Sequence, residues 1–155
     1  MVAAIDQMID SVRTIASDLR FNGAGELVPA LERMARDFER RARIRCLLDL
    51  AGSIELSSER AGWVIAVVRE ALTNVVRHAG ATVVRVTART GRRWLVVTVA
   101  DNGVGIPAAP AESLGVTGMR ERASLLRGTL EIRPGRSAGT VVRLRVPIDA
   151  ASEHR

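Results

Sequence analysis

Two pairs of β-rich runs, each joined by a turn too short to hold a crossover, constrain this 155-residue chain more than any other feature. The first pair is TVVRVTAR (82–89) and WLVVTVA (94–100), linked by TGRR. The second is TLEIRP (129–134) and TVVRLRVP (140–147), linked by GRSAG. Linkers this short return the chain antiparallel, because parallel neighbours need a connection of a dozen residues or more. An all-parallel doubly wound sheet is therefore excluded.

Helical spacing fills most of the remaining chain. Residues 27–41 place Leu27, Ala30, Leu31, Met34, Ala35 and Phe38 on one face. RIRCLLDL (43–50) alternates Ile44, Cys46 and Leu48 as a strand does. A long helix follows, with Ser57 as N-cap and Glu59 in its first turn, running to about His78 and stopping near Gly80. A loop of about a dozen residues with two prolines then leads to a short helix at GMRERASLLRG (118–128). The expected class is α+β: a two-layer α/β sandwich whose mixed sheet is covered on one face by helices. An N-terminal helix adds to it, since Ile5, Met8, Ile9, Val12, Ile15, Ala16 and Leu19 form a stripe over residues 3–19. That stripe has no partner within its own segment. Trp63 is expected in the core.

Composition removes whole classes of chemistry. Every one of the 23 basic residues is arginine. Without lysine there is no Walker-type phosphate loop and no Schiff-base nucleophile. The net charge of +6 suits a polyanion, but the arginines are scattered among only four aromatic residues (Phe21, Phe38, Trp63, Trp94). A stacking platform for single strands is not supported, and no direct nucleic-acid partner is expected. The one cysteine, Cys46, permits no internal disulfide and reads as a buried thiol. No apolar run reaches the roughly 18 residues of a membrane span, and MVAAIDQMID carries acids where a secretory leader carries bases. The expected location is cytoplasmic.

Three stretches carry the chemistry. In REALTNVVRHAGA (69–81), Glu70, Asn74 and His78 recur every fourth residue, so they form one polar row with about 6 Å between turns. In DNGVGIP (101–107), Asp101 ends a strand and can point its carboxylate into a pocket, while Gly103 and Gly105 allow backbone to approach a ligand. In LGVTGMRERA (114–123), Gly115 and Gly118 precede a helix whose first amides are free to bind phosphate.

Together these stretches resemble the N, G1 and G2 boxes of the GHKL (Bergerat-type) ATPase superfamily, which includes gyrase, the heat-shock-90 chaperones and sensor histidine kinases. The spacing Glu70-x-x-x-Asn74-x-x-Arg77-His78-Ala79 and the run GMRER are similar to one branch, the nitrate-sensor type of two-component histidine kinase. The resemblance covers nearly the whole chain. It implies a second helix of a dimerisation and phosphoacceptor hairpin in residues 1–20, ending IASDLR, and a connector with the first helix of the ATPase domain in 21–42. The catalytic domain would occupy 43–148, and 149–155 would be a tail.

The resemblance also implies cofactors and roles: ATP and Mg²⁺, with Asn74 ligating the metal through its amide oxygen. Glu70 would complete the metal or water environment and orient the attacking group. Arg77 and His78 would lie near the phosphates. Asp101 would accept the adenine amino hydrogen, with Thr140 supporting the same edge. Gly103 and Gly105 would shape the pocket floor, and Gly115 and Gly118 a mobile lid. The implied reaction moves the γ-phosphate to a histidine and on to a response-regulator aspartate. Implied partners are the dimerisation region of the same kinase, homodimeric at full length, and a regulator with a helix-turn-helix output domain.

One departure stands out. The branch carries its acceptor histidine in a stretch resembling ELHD, but the two histidines here, His78 and His154, occupy no such context. The continuation after IASDLR also differs, since Phe21-Asn22-Gly23 stands where the branch has proline. The expectation is an excised catalytic portion whose substrate histidine lies elsewhere. An anti-sigma-factor-type serine kinase shares the three boxes, and a nucleotide-binding regulatory module without turnover is the non-enzymatic alternative.

Overall fold

The computed structural model describes residues 27–51, 54–106 and 113–148. The helix read over 3–19, the break at 20–26, most of the proline-containing loop and the tail lie outside these residues.

Strands β1 (Arg45–Leu50), β2 (Val83–Thr90), β3 (Trp94–Asp101), β4 (Thr129–Pro134) and β5 (Thr140–Pro147) form one sheet in the order β1-β2-β3-β5-β4. Both expected hairpins are present: β2 with β3 and β4 with β5 are antiparallel, as is β3 with β5. Only β1 and β2 are parallel, and the long helix α2 (Ser58–Asn74) supplies their crossover. Helix α1 (Leu27–Ala42) precedes β1, and α3 (Leu114–Leu125) precedes β4.

Period-two alternation sorts the strand residues. Val84, Val86 and Ala88 of β2, Leu95, Val97 and Val99 of β3, and Val142, Leu144 and Val146 of β5 are buried on the helix-covered face. The other face carries exposed arginines, and the Arg145 guanidinium lies 3.9 Å from the Trp94 ring centroid. Helix α2 is buried along most of its length because it lies between the sheet and its neighbours, through Ala61, Val64, Ile65, Val67, Val68, Ala71 and Leu72. Trp63 packs against this core.

Local chemistry sets the element ends. Ser57 caps α2, its hydroxyl accepting from the Arg60 amide at 3.4 Å. Beyond Asn74 the helix widens into a single π turn, Val75–Ala79, and Gly80 closes it at φ +57°. The last helix begins four residues earlier than the sequence suggests. Ser113 accepts from the Val116 amide at 3.3 Å and so starts α3 at Leu114. Gly115 and Gly118 therefore lie inside the first turns of α3 and do not precede it. Cys46 is half-buried; its amide donates to Glu39 Oε1 at 2.7 Å. Burial, and secondarily the Glu39 carboxylate, push its thiol pKa up to about 11.

Candidate functional site

A cavity of about 450 Å³ opens between the end of α2, the π turn, β3, β5 and α3, within the usual range for a small-molecule site. Val99 and Val142, paired across β3 and β5, form part of its apolar wall with Ile106, Met119 and Ile132. Its polar groups are Asn74, His78, Asp101, Ser113 and Thr140. Among the described residues no polar or charged side chain is fully buried, so these groups remain reachable by a ligand.

Asp101 is held from two sides. Its Oδ1 accepts from the Gly103 amide at 2.8 Å, which fixes the carboxylate at the strand end. Ala100 pairs with Val141, so Asp101 and Thr140 sit side by side at the same edge of the sheet. Gly139, at φ +74°, precedes Thr140, and a Cβ there would lie 1.9 Å from the Asp101 carbonyl oxygen. The sequence reading took Gly139 only as the end of the turn GRSAG. The signal for more was its position directly before Thr140, across the sheet from Asp101.

The strand end is also fastened to the helix end. The Val104 amide donates to the Ala79 carbonyl at 2.8 Å, and a Cβ at Gly103 would lie 2.1 Å from that oxygen. Gly103 thus supports the floor by letting two backbones touch, and Gly105 lines the cavity at φ +80°. Asn102 faces away: its Oδ1 accepts from the Thr82 and Val83 amides at 3.0 Å, and its Nδ2 donates to Thr82 Oγ1 at 2.9 Å.

Of the residues expected at the site, the structure gathers Asn74, His78, Asp101, Gly105 and Thr140 around one cavity, with Gly103 beneath it. Glu70 stands outside the lining. Its carboxylate abuts the first turn of α3, where a Cβ at Gly115 would lie 2.0 Å from Oε1. Gly118 faces the Arg122 guanidinium, whose Nη1 would lie 2.8 Å from a Cβ there. Arg77 is placed elsewhere, in a second groove between α1 and α2 with Arg69 and Thr73. It follows Asn74 by three residues, and the wider π turn rotates less per residue, so Arg77 stops further short of a full turn and away from the Asn74 face.

The donor set suits a weakly coordinating hard cation. No group of three His, Cys, Asp or Glu side chains stands ready to hold a metal among the described residues. Asn74 offers one amide oxygen, which fits an ion such as Mg²⁺ that keeps most of its shell as phosphate oxygens and water.

Comparison with known proteins gives a consistent result. The model of the family described as histidine kinase-, DNA gyrase B-, and HSP90-like ATPase matches residues 59–150. The oxygen sensor histidine kinase NreB of Staphylococcus carnosus is 31% identical over 150 residues, covering 93% of this chain and 43% of its own length. The nitrate/nitrite sensor protein NarX of Escherichia coli K12 is 34% identical over 119 residues, covering 75% of this chain and 20% of its own. This chain thus spans less than half of either relative. Among solved structures, the ATP-binding domain of PrrB from Mycobacterium tuberculosis superposes with a TM-score of 0.61 at 26% identity, covering 77% of this chain and 91% of that one. The histidine kinase domain of the Erythrobacter litoralis EL346 blue-light activated kinase has the same fold, with a TM-score of 0.71 at 24% identity, covering 90% and 72% respectively.

Proposed function

The chain belongs to the family of histidine kinase-, DNA gyrase B-, and HSP90-like ATPases, and on that premise we propose that it is the ATP-binding catalytic portion of a sensor histidine kinase. The observation that carries this reading is the pairing of a fixed carboxylate, Asp101, with the helical row Asn74 and His78 around one apolar-walled cavity. A carboxylate only accepts hydrogen bonds, which suits the exocyclic amino group of adenine, and Thr140 beside it supports the same edge. The valine, isoleucine and methionine walls suit the flat faces of the base.

Asn74 and His78 then face the phosphates. Asn74 would hold Mg²⁺, which when bound neutralises charge on the transferring phosphoryl group. His78 donates a hydrogen bond to phosphate oxygen. Glu70, one turn before Asn74, is the candidate for orienting the attacking group. Arg77, in its separate groove, has no part in this assignment. The capped first turn of α3 presents amides suited to phosphate.

We assign the catalytic domain to residues 43–148, with 21–42 as connector and first helix and 1–20 as part of a dimerisation hairpin. The phosphoryl group would pass to a histidine of that hairpin and then to a response-regulator aspartate. The sensor kinases among its relatives favour this reading over the serine-kinase one. Neither histidine of the chain has an acceptor context. Radiolabelled ATP should therefore leave the isolated chain unlabelled yet label a supplied dimerisation hairpin. Acid-labile phosphate on the chain itself would overturn the placing of the acceptor elsewhere, and a hairpin left unlabelled would overturn the kinase reading.

A further inference from the structure

Asn102 stands between Asp101 and Gly103, the two residues that shape the base end of the cavity, yet it takes no part in the lining. Its side chain meets the start of β2 instead. One oxygen accepts from both the Thr82 and Val83 amides at 3.0 Å, and the nitrogen donates to Thr82 Oγ1 at 2.9 Å. A short carboxamide can accept twice and donate from the same end, which a hydroxyl of similar reach cannot do in one plane. We propose that Asn102 is a positioning residue for Asp101: it locks the end of β3 to the start of β2 and so sets the direction in which the carboxylate meets its ligand, which rests on the adenine reading above.

The lock matters because the ladder runs out here. Asp101 is the last residue of β3 and pairs with Val84; beyond it the Asn102 amide still reaches the Val83 carbonyl, at 3.2 Å. Gly103 and Gly105 follow at once, and glycine leaves the backbone freer than any other residue. The Asp101 carboxylate takes its direction partly from that loop, since its Oδ1 accepts from the Gly103 amide at 2.8 Å. A loop free to swing would carry the Gly103 amide, and the carboxylate with it, away from the base edge. The Asn102 side chain holds one side of the loop, and the bond from the Val104 amide to the Ala79 carbonyl holds the other. The anchor is itself fixed, because the Thr82 carbonyl accepts from the Arg45 amide of β1 at 3.1 Å. Thr82 also follows His78 by only four residues, so the same tie sets the base end of the cavity relative to the phosphate end. The Asn102 bonds lie at the surface, where water can replace them, so their loss costs orientation more than stability.

Hydrogen exchange of the Gly103 amide, followed by NMR, reads the positioning without any nucleotide. In Asn102→Ala that amide should exchange at least about fivefold faster than in the native chain, while amides in the middle of β3 keep their protection. ADP affinity should fall about tenfold and GDP affinity by less, so the preference for ADP narrows. Asn102→Asp keeps an oxygen for both β2 amides and should return both readouts to within about twofold of native. Thr82→Val, which removes only the bond from Nδ2, should resemble the native chain. The proposal is overturned if Gly103 exchange in Asn102→Ala is unchanged or rises only as much as exchange along the whole of β3. It is also overturned if Asn102→Ala weakens ADP and GDP by the same factor in a chain that prefers ADP, or if Asn102→Asp behaves like Asn102→Ala. Equal binding of ADP and GDP by the native chain would sink the adenine assignment alone, and Gly103 exchange would still decide the lock.

Discussion

Asp101→Asn separates recognition of the base from support of the loop. In the native structure Oδ1 accepts from the Gly103 amide at 2.8 Å, leaving Oδ2 for a ligand. The amide side chain can keep the first bond through its oxygen and then turns an N–H₂ donor toward the cavity. A donor now meets the adenine amino donor. Losing a hydrogen bond to a charged group costs about 1.5–3 kcal/mol, or roughly ten- to hundredfold in ADP affinity. The retained bond to Gly103 should hold the stability loss below about 1 kcal/mol, whereas Asp101→Ala removes both bonds and adds about 1 kcal/mol of destabilisation. Guanine offers a carbonyl oxygen at that edge, so the substitution should also narrow or invert the native preference for ADP over GDP. Calorimetric titration of the native and Asp101→Asn proteins with both nucleotides, beside thermal melts, tests each step. Native ADP affinity in the variant, or equal affinity of the native chain for ADP and GDP, refutes the base assignment.

Asn74→Ala should abolish most of the Mg²⁺ dependence of nucleotide affinity while leaving the melting temperature within a few degrees, because the side chain lines the cavity and not the core. An unchanged magnesium dependence in calorimetry removes Asn74 from the metal site. Gly139→Ala forces a left-handed φ of +74° at a cost of about 1–2 kcal/mol and sets a methyl group against the Asp101 carbonyl oxygen. It should lower stability by at least about 2 kcal/mol in urea and weaken ADP binding together; loss of stability alone would leave Gly139 merely structural. Cys46, with its thiol pushed up to about 11, should react with iodoacetamide at pH 8 at least about a hundredfold more slowly than a free thiol of pKa near 8.5. Because the folded pKa is the higher one, the Cys46 contribution to stability is complete below about pH 8.5 and is lost as pH rises toward 11. Denaturant titrations of native protein and Cys46→Ala across pH 8–11 measure that loss by difference.

Much of the architecture was readable because it rests on local rules. The two hairpins, the Ser57 cap and the stop at Gly80 each follow from a few adjacent residues, and all three appear in the structure. The polar row Asn74 and His78 and the carboxylate of Asp101 were legible for the same reason. What escaped depends on distant contacts. The start of α3 is set by the Ser113 cap, and Gly115 lies in its first turn against Glu70, a contact between distant parts of the chain. The seat of Arg77 depends on a π turn that spacing alone does not announce. Gly139 acquires meaning only through strand register, which brings it against Asp101.

The glycines of the site differ in how they can vary over evolutionary time. At Gly103 and Gly139 the nearest atoms to an added methyl are backbone carbonyls, Ala79 and Asp101. No second substitution removes a main-chain oxygen, so these two positions are closed to single and paired replacement alike. At Gly115 the obstructing atoms belong to the Glu70 side chain, and truncating that side chain clears the space. Positions 70 and 115 should therefore covary among descendants of this sequence, a residue with a side chain at 115 appearing only where Glu70 has been shortened. Positions 103 and 139 should stay fixed whatever their neighbours become.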